Sequence, residues 1–440
     1  MPNNAGGERP ASQQRVWARL ARHRALIVSY LQAFSGQLGL SLFNFCLNIF
    51  LVRTLPPQEY GIFAFALVAG QVAMYVNGAL VAAPLMVHAP ACEPPAARLE
   101  LEARLYALNT LIAVATFGFA FVYAIAQYGE MEAGGCWVVI AFALYVLTFM
   151  QRHLTRCAAY ARQQPGIACA GDLGVVALGC LFLLAGWLMT GGFGVAYVLA
   201  VLAVANACMS AVEMHRLGVR PMAPSRARIR GYGHLWLETR WALLGSTTTF
   251  AQSQAHSVIV STAAGPTAFA PLAAGQVVIA PVGIAMFALQ NAMVSRLSIA
   301  VSRSDRAAIR LIVAFMTLTL LAMVAGIGVL TFALWDFIWD ALFQAKYSTY
   351  PMGWLVFGFW CVGLVRALYT APSCLLVALR EFRSLALASL FGGGVSLLCV
   401  GVILQVAPFY WTAAGVLVGE LSFLVALMAL VARKLGAVKK

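Results

Sequence analysis

The chain has 440 residues, of which 62% are hydrophobic and 10% are charged, and its mean hydropathy is +0.85. A soluble domain carries about 25% charged residues, so this composition excludes a soluble protein and predicts a polytopic membrane protein. The net charge of +14 would suit a nucleic-acid partner, but the basic residues lie in short segments between apolar stretches, where they orient a chain in the bilayer. We therefore expect membrane lipids, and no nucleic acid, as partners.

The first 24 residues form a basic, polar tail, and the apolar stretch that follows continues for more than 25 residues. That length exceeds the core of a signal peptide, so we interpret the stretch as a retained membrane span. About 20 apolar residues cross the hydrocarbon layer. On this basis the sequence predicts twelve spans: 25–53, 61–88, 105–127, 136–157, 166–189, 193–213, 237–262, 267–295, 309–335, 352–379, 385–406 and 409–432.

The charges between the spans favour this count. With the N-terminus in the cytoplasm, arginines concentrate on the inner side, while the outer turns carry acids, as the positive-inside rule requires. Both termini are then cytoplasmic. We divide the chain into a cytoplasmic tail (1–24), an N-lobe of spans 1–6 (25–213), a cytoplasmic linker (214–236), a C-lobe of spans 7–12 (237–432) and a second basic tail (433–440).

An internal repeat relates the two lobes. Ala64–Val72 reads AFALVAGQV and returns, with one inserted residue, as AFAPLAAGQV at Ala268–Val277. Each copy contains an even number of spans, so both copies begin on the same side of the membrane and the repeat is parallel. The symmetry axis of a parallel repeat runs along the membrane normal. The predicted fold class is therefore all-α, with two pseudo-symmetric six-helix lobes around a central cavity, an architecture typical of transporters.

Polar residues within spans are costly in lipid and usually face protein or water. In span 1 they recur on one helical face, and span 7, its repeat partner, carries a similar stripe. Gln71 and Gln276 are the same position of the repeat. The alternative is hydrogen bonding between helices, which is common for such residues. The predicted cavity-lining residues are Gln37, Asn44, Asn48, Gln71, Gln252, His256 and Gln276.

Three charged residues within spans are candidates for function. Arg152 and Arg366 share the pattern R-x-L at similar depths of spans 4 and 10, so we interpret them as a pseudo-symmetric pair that contacts substrate. The alternative is that both extend to the inner surface. Glu420 lies near the midplane of span 12 and is a candidate coupling site for a proton or sodium gradient, or else a neutral carboxyl packed in the bundle.

Enzyme motifs are absent from the sequence. It contains no P-loop, no G-x-S-x-G, no H-E-x-x-H and no Cys/His metal spacing, and its outer loops are short. We therefore expect a transporter and not an enzyme, without metal or cofactor. A membrane enzyme of glycan assembly remains a minor alternative.

Two junctions resemble a known family. Leu51–Phe63, LVRTLPPQEYGIF, resembles the junction of spans 1 and 2 in bacterial polysaccharide flippases of the multidrug/oligosaccharidyl-lipid/polysaccharide (MOP) exporter superfamily, with Pro56 in place of the usual Gly. LFQAKY, residues 342–347, is similar to the family's Leu-Phe-Gly-x-x-Tyr, with Gln344 in place of Gly.

The resemblance implies that the protein flips undecaprenyl-diphosphate-linked oligosaccharides across the bacterial inner membrane. These units would serve the assembly of lipopolysaccharide O-antigen, capsule or exopolysaccharide, with a polysaccharide polymerase and chain-length machinery as possible partners. Amides and hydroxyls suit sugars, and arginines suit a diphosphate. The alternative function is ion-coupled export of drugs or metabolites by a member of the same superfamily.

Overall fold

The computed structural model describes residues 32, 35–89, 95–128, 135–162, 164–219, 223–302, 305–343, 347–379 and 381–437. Within these ranges every regular element is helical. The twelve long helices of this part of the chain are α1 (Ser35–Thr54), α2 (Pro57–His88, with a π-helical turn at Gly78–Ala82), α3 (Pro95–Tyr128), α4 (Gly135–Ala161), α5 (Pro165–Thr190), α6 (Val195–Arg216), α7 (Gly233–Ala263), α8 (Gly265–Ser302), α9 (Arg306–Ala333), α10 (Met352–Ala378), α11 (Phe382–Val406) and α12 (Thr412–Ala437).

These helices overlap the predicted spans one for one. Eleven helices of the described residues are long and apolar enough to cross a membrane, and α7, with 31 residues, is the twelfth long helix. The prediction of an all-α polytopic fold is confirmed. Some helices extend beyond their predicted spans: α3 begins at Pro95 and α8 ends at Ser302. Short helices at Arg226–Arg230 and Trp335–Ile338, a π-helical turn at Trp339–Phe343 and a 3₁₀ turn at Phe409–Trp411 join the long ones.

Local sequence explains where several helices begin and end. Pro57 and Pro165 open α2 and α5, at positions whose N–H has no partner within the helix. Gly191 ends α5 in the left-handed conformation, with φ of 69°, which glycine adopts without steric cost. Asp305 caps α9 by accepting a hydrogen bond from the backbone N–H of Ala308.

Helix packing repeats between the two lobes. In the N-lobe, α4 packs against α2, α3 and α6, and in the C-lobe the equivalent helix α10 packs against α8, α9 and α12. The last two helices of each lobe, α5 with α6 and α11 with α12, also pack together. The fourth helix of each lobe is therefore the central helix of that lobe.

The lobes meet mainly through α2, which contacts both α8 and α7. At the end of the molecule where α1 joins α2 and α7 joins α8, here called the outer end after the predicted topology, Gly61 approaches the backbone of Pro266. A Cβ added at Gly61 would lie 2.1 Å from the Pro266 carbonyl oxygen, so only glycine permits this approach. Further along α2, the rings of Tyr75 and Phe250 lie 5.9 Å apart.

The π-helical turn in α2 lies next to Pro84. Proline lacks an N–H and crowds the carbonyl four residues before it, so the Leu80 carbonyl cannot receive the usual α-helical hydrogen bond from residue 84. The Tyr232 hydroxyl, from the segment between the lobes, donates a hydrogen bond to this carbonyl at 2.7 Å. A side chain outside the helix thus replaces the missing backbone donor.

Candidate functional site

A cavity of about 480 Å³ lies between the lobes. Its walls come from α1 and α2 of the N-lobe and from α7, α8, α10 and α12 of the C-lobe. The contact between Gly61 and Pro266 lies beside its outer lining residues Tyr60 and Phe269 in the chain. Polar side chains are spread over both walls: Ser41, Asn44, Asn48, Tyr60, Gln71, Gln254, His256, Gln276 and Arg366.

The N-lobe wall presents amides. Asn48 Nδ2 donates a hydrogen bond to the backbone carbonyl of Asn44 at 2.8 Å, and its Oδ1 accepts one from the Tyr60 hydroxyl at 3.4 Å. Asn44, Asn48 and Gln71, which the sequence predicted to face a cavity, line this one. Tyr60 is an additional polar group that sequence reasoning missed, because it follows directly on the α1–α2 turn.

The C-lobe wall combines an imidazole with further amides. His256 and Gln276 both line the cavity, and their Nε2 atoms lie 2.8 Å apart, within hydrogen-bonding distance. The Ser257 hydroxyl lies 3.3 Å from the same imidazole nitrogen. Gln71 and Gln276, related by the repeat, therefore face one space from opposite lobes.

An ion pair stands at the inner part of the C-lobe wall. Glu420 is fully buried. Its Oε1 accepts a hydrogen bond from Arg366 Nε at 2.8 Å and forms an ion pair with Nη2 of the same guanidinium at 2.7 Å. The other carboxylate oxygen accepts a hydrogen bond from the Tyr369 hydroxyl at 2.9 Å. The side chain of Arg366 is 30% exposed and lines the cavity. The cavity therefore meets the cation of this pair, and the acid lies behind it.

Arg152 occupies a different environment from the one predicted. Its guanidinium is buried inside the N-lobe, where it pairs with Asp172 of α5 at 2.6 Å and with Glu213 of α6. It does not line the cavity and does not extend to the inner surface, because two acids on neighbouring helices hold it within the bundle. The prediction of a matched pair of cavity arginines is corrected here: Arg366 faces the cavity and Arg152 does not.

Other predicted residues also face the N-lobe interior. Gln37 accepts a hydrogen bond from Arg156 Nη1 at 2.7 Å and thus faces α4 instead of the cavity. Asn77, another polar residue within a span, is fully buried and donates a hydrogen bond to Asn109 of α3 at 2.7 Å. Gln252 belongs to α7, but its side chain lies outside the part of the structure that is described.

The two charged clusters use equivalent helices. In each lobe an arginine of the fourth helix pairs with a glutamate of the sixth: Arg152 with Glu213, and Arg366 with Glu420. Sequence reasoning missed Glu213 and the pairing of Glu420. The available signal was a glutamate within the sixth span of each lobe, opposite an R-x-L in the fourth.

The family-like junction between α1 and α2 has a structural role. Glu59 Oε2 accepts a hydrogen bond from the backbone N–H of Val195 at 2.7 Å, at the first residue of α6. A carboxylate there complements the positive end of the helix dipole. Arg53 is exposed at the outer end of α1 and does not line the cavity.

The cavity thus offers amides, a buried imidazole and one accessible guanidinium. Such groups hydrogen-bond to hydroxyls and hold phosphate or carboxylate groups. Among the described residues, no group of three or more His, Cys, Asp and Glu side chains could hold a metal ion.

Solved structures with a similar fold are transporters. The chain is similar to a multidrug resistance MATE family transporter of the MOP superfamily in an inward-facing conformation, with a TM-score of 0.68, 12% identity, and coverage of 91% of this chain and 95% of that one. A multidrug resistance MATE family transporter in an outward-facing conformation has a TM-score of 0.67 and 12% identity, and the match covers 94% of this chain and 96% of that one. The third similar structure is a MOP superfamily transporter from Pyrococcus furiosus Vc1, described by a reverse polarity of its binding pocket. Its TM-score is 0.66 and its identity 12%, and the match covers 94% of this chain and 96% of that one.

No family model matches the sequence, and no curated protein matches it. The structural likeness extends over nearly the whole chain and defines its class: a multi-pass membrane protein with the fold of MOP-superfamily transporters. The fold that the two junction motifs implied is thus the fold that these structures share with the chain.

Proposed function

We propose that this protein flips lipid-linked oligosaccharides from the inner to the outer leaflet of the bacterial inner membrane by alternating access. The observation that carries the proposal is the Arg366 side chain, 30% exposed in a cavity walled by amides, with the acid of its pair fully buried. A guanidinium binds the diphosphate through two parallel hydrogen bonds, and the amides bind sugar hydroxyls.

The chemistry of the cavity fits an amphiphile that has a diphosphate and a sugar head. Asn44, Asn48, Gln71, Gln254 and Gln276 provide donors and acceptors on both walls. The protein is proposed to be a transporter and not an enzyme, with both termini in the cytoplasm. A polysaccharide polymerase and chain-length machinery are its proposed partners.

The second candidate is a drug or metabolite exporter. Multidrug transporters are among the similar structures, and the cavity also has aromatic lining residues, Phe45, Phe269 and Phe359, which suit planar drugs. The charge at the surface of the cavity argues against cationic drugs. They would meet Arg366, while Glu420 lies buried behind it.

Deletion of the gene in its host distinguishes the candidates. The proposed function predicts that lipid-linked oligosaccharide accumulates on the inner leaflet and that surface polysaccharide is lost, while resistance to cationic drugs is unchanged. If the wild-type gene restores surface polysaccharide and Arg366→Ala at the same membrane level does not, the loss results from the cavity. Normal polysaccharide together with hypersensitivity to cationic drugs would refute the proposal and support the exporter.

A further inference from the structure

We propose that the inner end of the molecule, opposite to the outer end, carries a binding site for an anionic phospholipid. Arg240 and Arg383, both placed against the ring of Trp241, bind its phosphate group, and its acyl chains lie along an exposed apolar face of α11. None of these three residues lines the cavity between the lobes. The proposal therefore does not depend on which substrate the cavity carries.

Two packed helices bring the arginines together. Arg240 lies in the first third of α7 and Arg383 is the second residue of α11, so both stand near the inner ends of these helices. The helices α7 and α11 pack against each other. Just beyond the arginines, a Cβ added at Gly245 would lie 3.8 Å from the Cβ of Ala386. This close approach keeps the two arginines on one site.

The indole ring of Trp241 contacts both guanidinium groups. The Cζ atoms of Arg240 and Arg383 each lie 5.6 Å from the centre of this ring, within the range of cation–π contacts. The two charges are therefore no further apart than twice that distance. Like charges repel each other, and an anion that binds both of them relieves the repulsion. Tryptophan is also enriched at the membrane–water interface, where lipid phosphates lie.

Both guanidinium groups are accessible to a ligand. Arg240 and Arg383 are exposed, and neither forms an ion pair with an acid among the side chains that the structure describes. Glu381, two residues before Arg383, accepts a hydrogen bond from the Ser384 hydroxyl at 3.0 Å. The donors of both arginines can thus bind phosphate oxygens, to which a guanidinium forms strong hydrogen bonds.

The exposed apolar side chains of α11 favour a lipid over a free phosphate ion. Leu387 and Leu390 follow Arg383 at steps of four and three residues, so they lie on the same helical face. Each is 50% exposed, and Phe391 beside them is 57% exposed. Acyl chains can cover this face while the head group contacts the arginines, whereas a free ion contacts the arginines alone. Basic sites between membrane helices on the cytoplasmic side bind anionic lipid head groups in this manner.

The test measures lipid binding by native mass spectrometry of the full-length protein, purified in detergent and depleted of lipid. The probes are dioleoyl phosphatidylglycerol, which is anionic, and dioleoyl phosphatidylethanolamine, which has the same chains and no net charge. We expect the wild type to bind phosphatidylglycerol about tenfold more tightly than phosphatidylethanolamine. Arg240→Gln combined with Arg383→Gln should weaken phosphatidylglycerol binding about twentyfold and abolish this preference, since each basic residue contributes about fivefold.

The matched control is Arg310→Gln combined with Arg433→Gln. It removes the same charge from exposed arginines at the inner ends of α9 and α12 but leaves the pair at Trp241 intact. Its affinity for phosphatidylglycerol should stay within about threefold of the wild type. If the double variant of the site does not fold, Arg383→Gln alone takes its place and should bind about fivefold more weakly.

Three outcomes would overturn the proposal. The first is equal affinity of the wild type for the two lipids, and the second is an equal loss of affinity in the site variant and in its control. The third concerns glycerophosphoglycerol, the soluble head group of phosphatidylglycerol. We expect it not to displace the lipid at equal concentration, because it lacks the acyl chains. Displacement at equal concentration would mean that the arginines bind a free phosphate ester and not a lipid.

Discussion

Arg366 and Arg152 are the same residue type on equivalent helices, but they have different surroundings. Arg366 lies at the cavity surface and pairs with one acid among the described residues, whereas Arg152 is buried between two acids. Their substitutions should therefore affect different properties, the first binding and the second stability.

Arg366→Ala should weaken the binding of farnesyl diphosphate, a short polyprenyl diphosphate, about ten- to a hundredfold, because a hydrogen bond to a charged group contributes about 1.5–3 kcal/mol. Arg366→Lys should be intermediate, since lysine keeps the charge but lacks the planar pair of donors. Binding affinity at equal membrane levels is the measurement. Wild-type affinity in both variants would remove Arg366 from the binding site.

Arg152→Ala should destabilise the fold by about 3–5 kcal/mol, the range for breaking a buried ion pair. It leaves Asp172 and Glu213 buried without their shared cation. Arg152→Lys should also destabilise, because a single ammonium group cannot reach both acids as the guanidinium does. Thermal unfolding in detergent checks this, and a Tm equal to that of the wild type would contradict it.

For single residues, the sequence shows which polar side chains lie within the spans better than it shows which way those side chains face. Asn44, Asn48, Gln71, His256 and Gln276 line the cavity, and each is a polar residue within a span. Arg152 and Arg366 share the same pattern and depth, so the sequence of one helix cannot distinguish them. Their difference arises from Asp172 on a neighbouring helix, and such a contact depends on tertiary packing.

Among the elements, α2 is the most irregular of the described helices that line the cavity. It contains a π-helical turn at Gly78–Ala82, and Tyr232 donates a hydrogen bond to the Leu80 carbonyl nearby. The sequence shows Pro84, which removes a backbone donor from α2. It could not predict the donor, which is about 150 residues away along the chain and meets α2 only when the lobes are packed.

Tyr232→Phe should loosen this turn, because the Leu80 carbonyl loses its side-chain donor at a cost of about 1 kcal/mol. We expect faster hydrogen exchange at residues 78–85, with little change elsewhere. Tyr106→Phe is the matched control, since the buried Tyr106 hydroxyl has no hydrogen-bond partner in the described structure. Equal exchange rates in the two variants would show that Tyr232 does not support the turn.

For the whole molecule, the prediction from charge is twelve spans with both termini in the cytoplasm. Reporter fusions after Gly436 and within Arg220–Arg230 should report the cytoplasm, and fusions near Glu130 and Ser348 the outside. Span number was predictable because apolar length is a property of the chain itself. An external signal from the 220–230 segment would contradict the parallel arrangement of the lobes.

The contact between Gly61 and Pro266 predicts how the outer end opens. Gly61→Ala should separate α2 from α8 there, because the added methyl group would overlap the Pro266 carbonyl. Spin labels at Gln58 and Thr267, in a variant without native cysteines, should report a longer distance. Gly118→Ala is the control, since a Cβ at Gly118 meets nothing within 4 Å. An unchanged distance in Gly61→Ala would contradict the prediction, because α2 and α8 would then accommodate the methyl group without separating.

The two arginine–glutamate pairs also have a consequence for how such a molecule diversifies. In the N-lobe a second acid encloses the pair, so we expect changes around it to lower stability first. In the C-lobe the pair borders the cavity, and we expect changes there to alter binding in the cavity before they alter folding. In a duplicated architecture the same ion pair can thus be constrained by folding in one copy and by binding in the other.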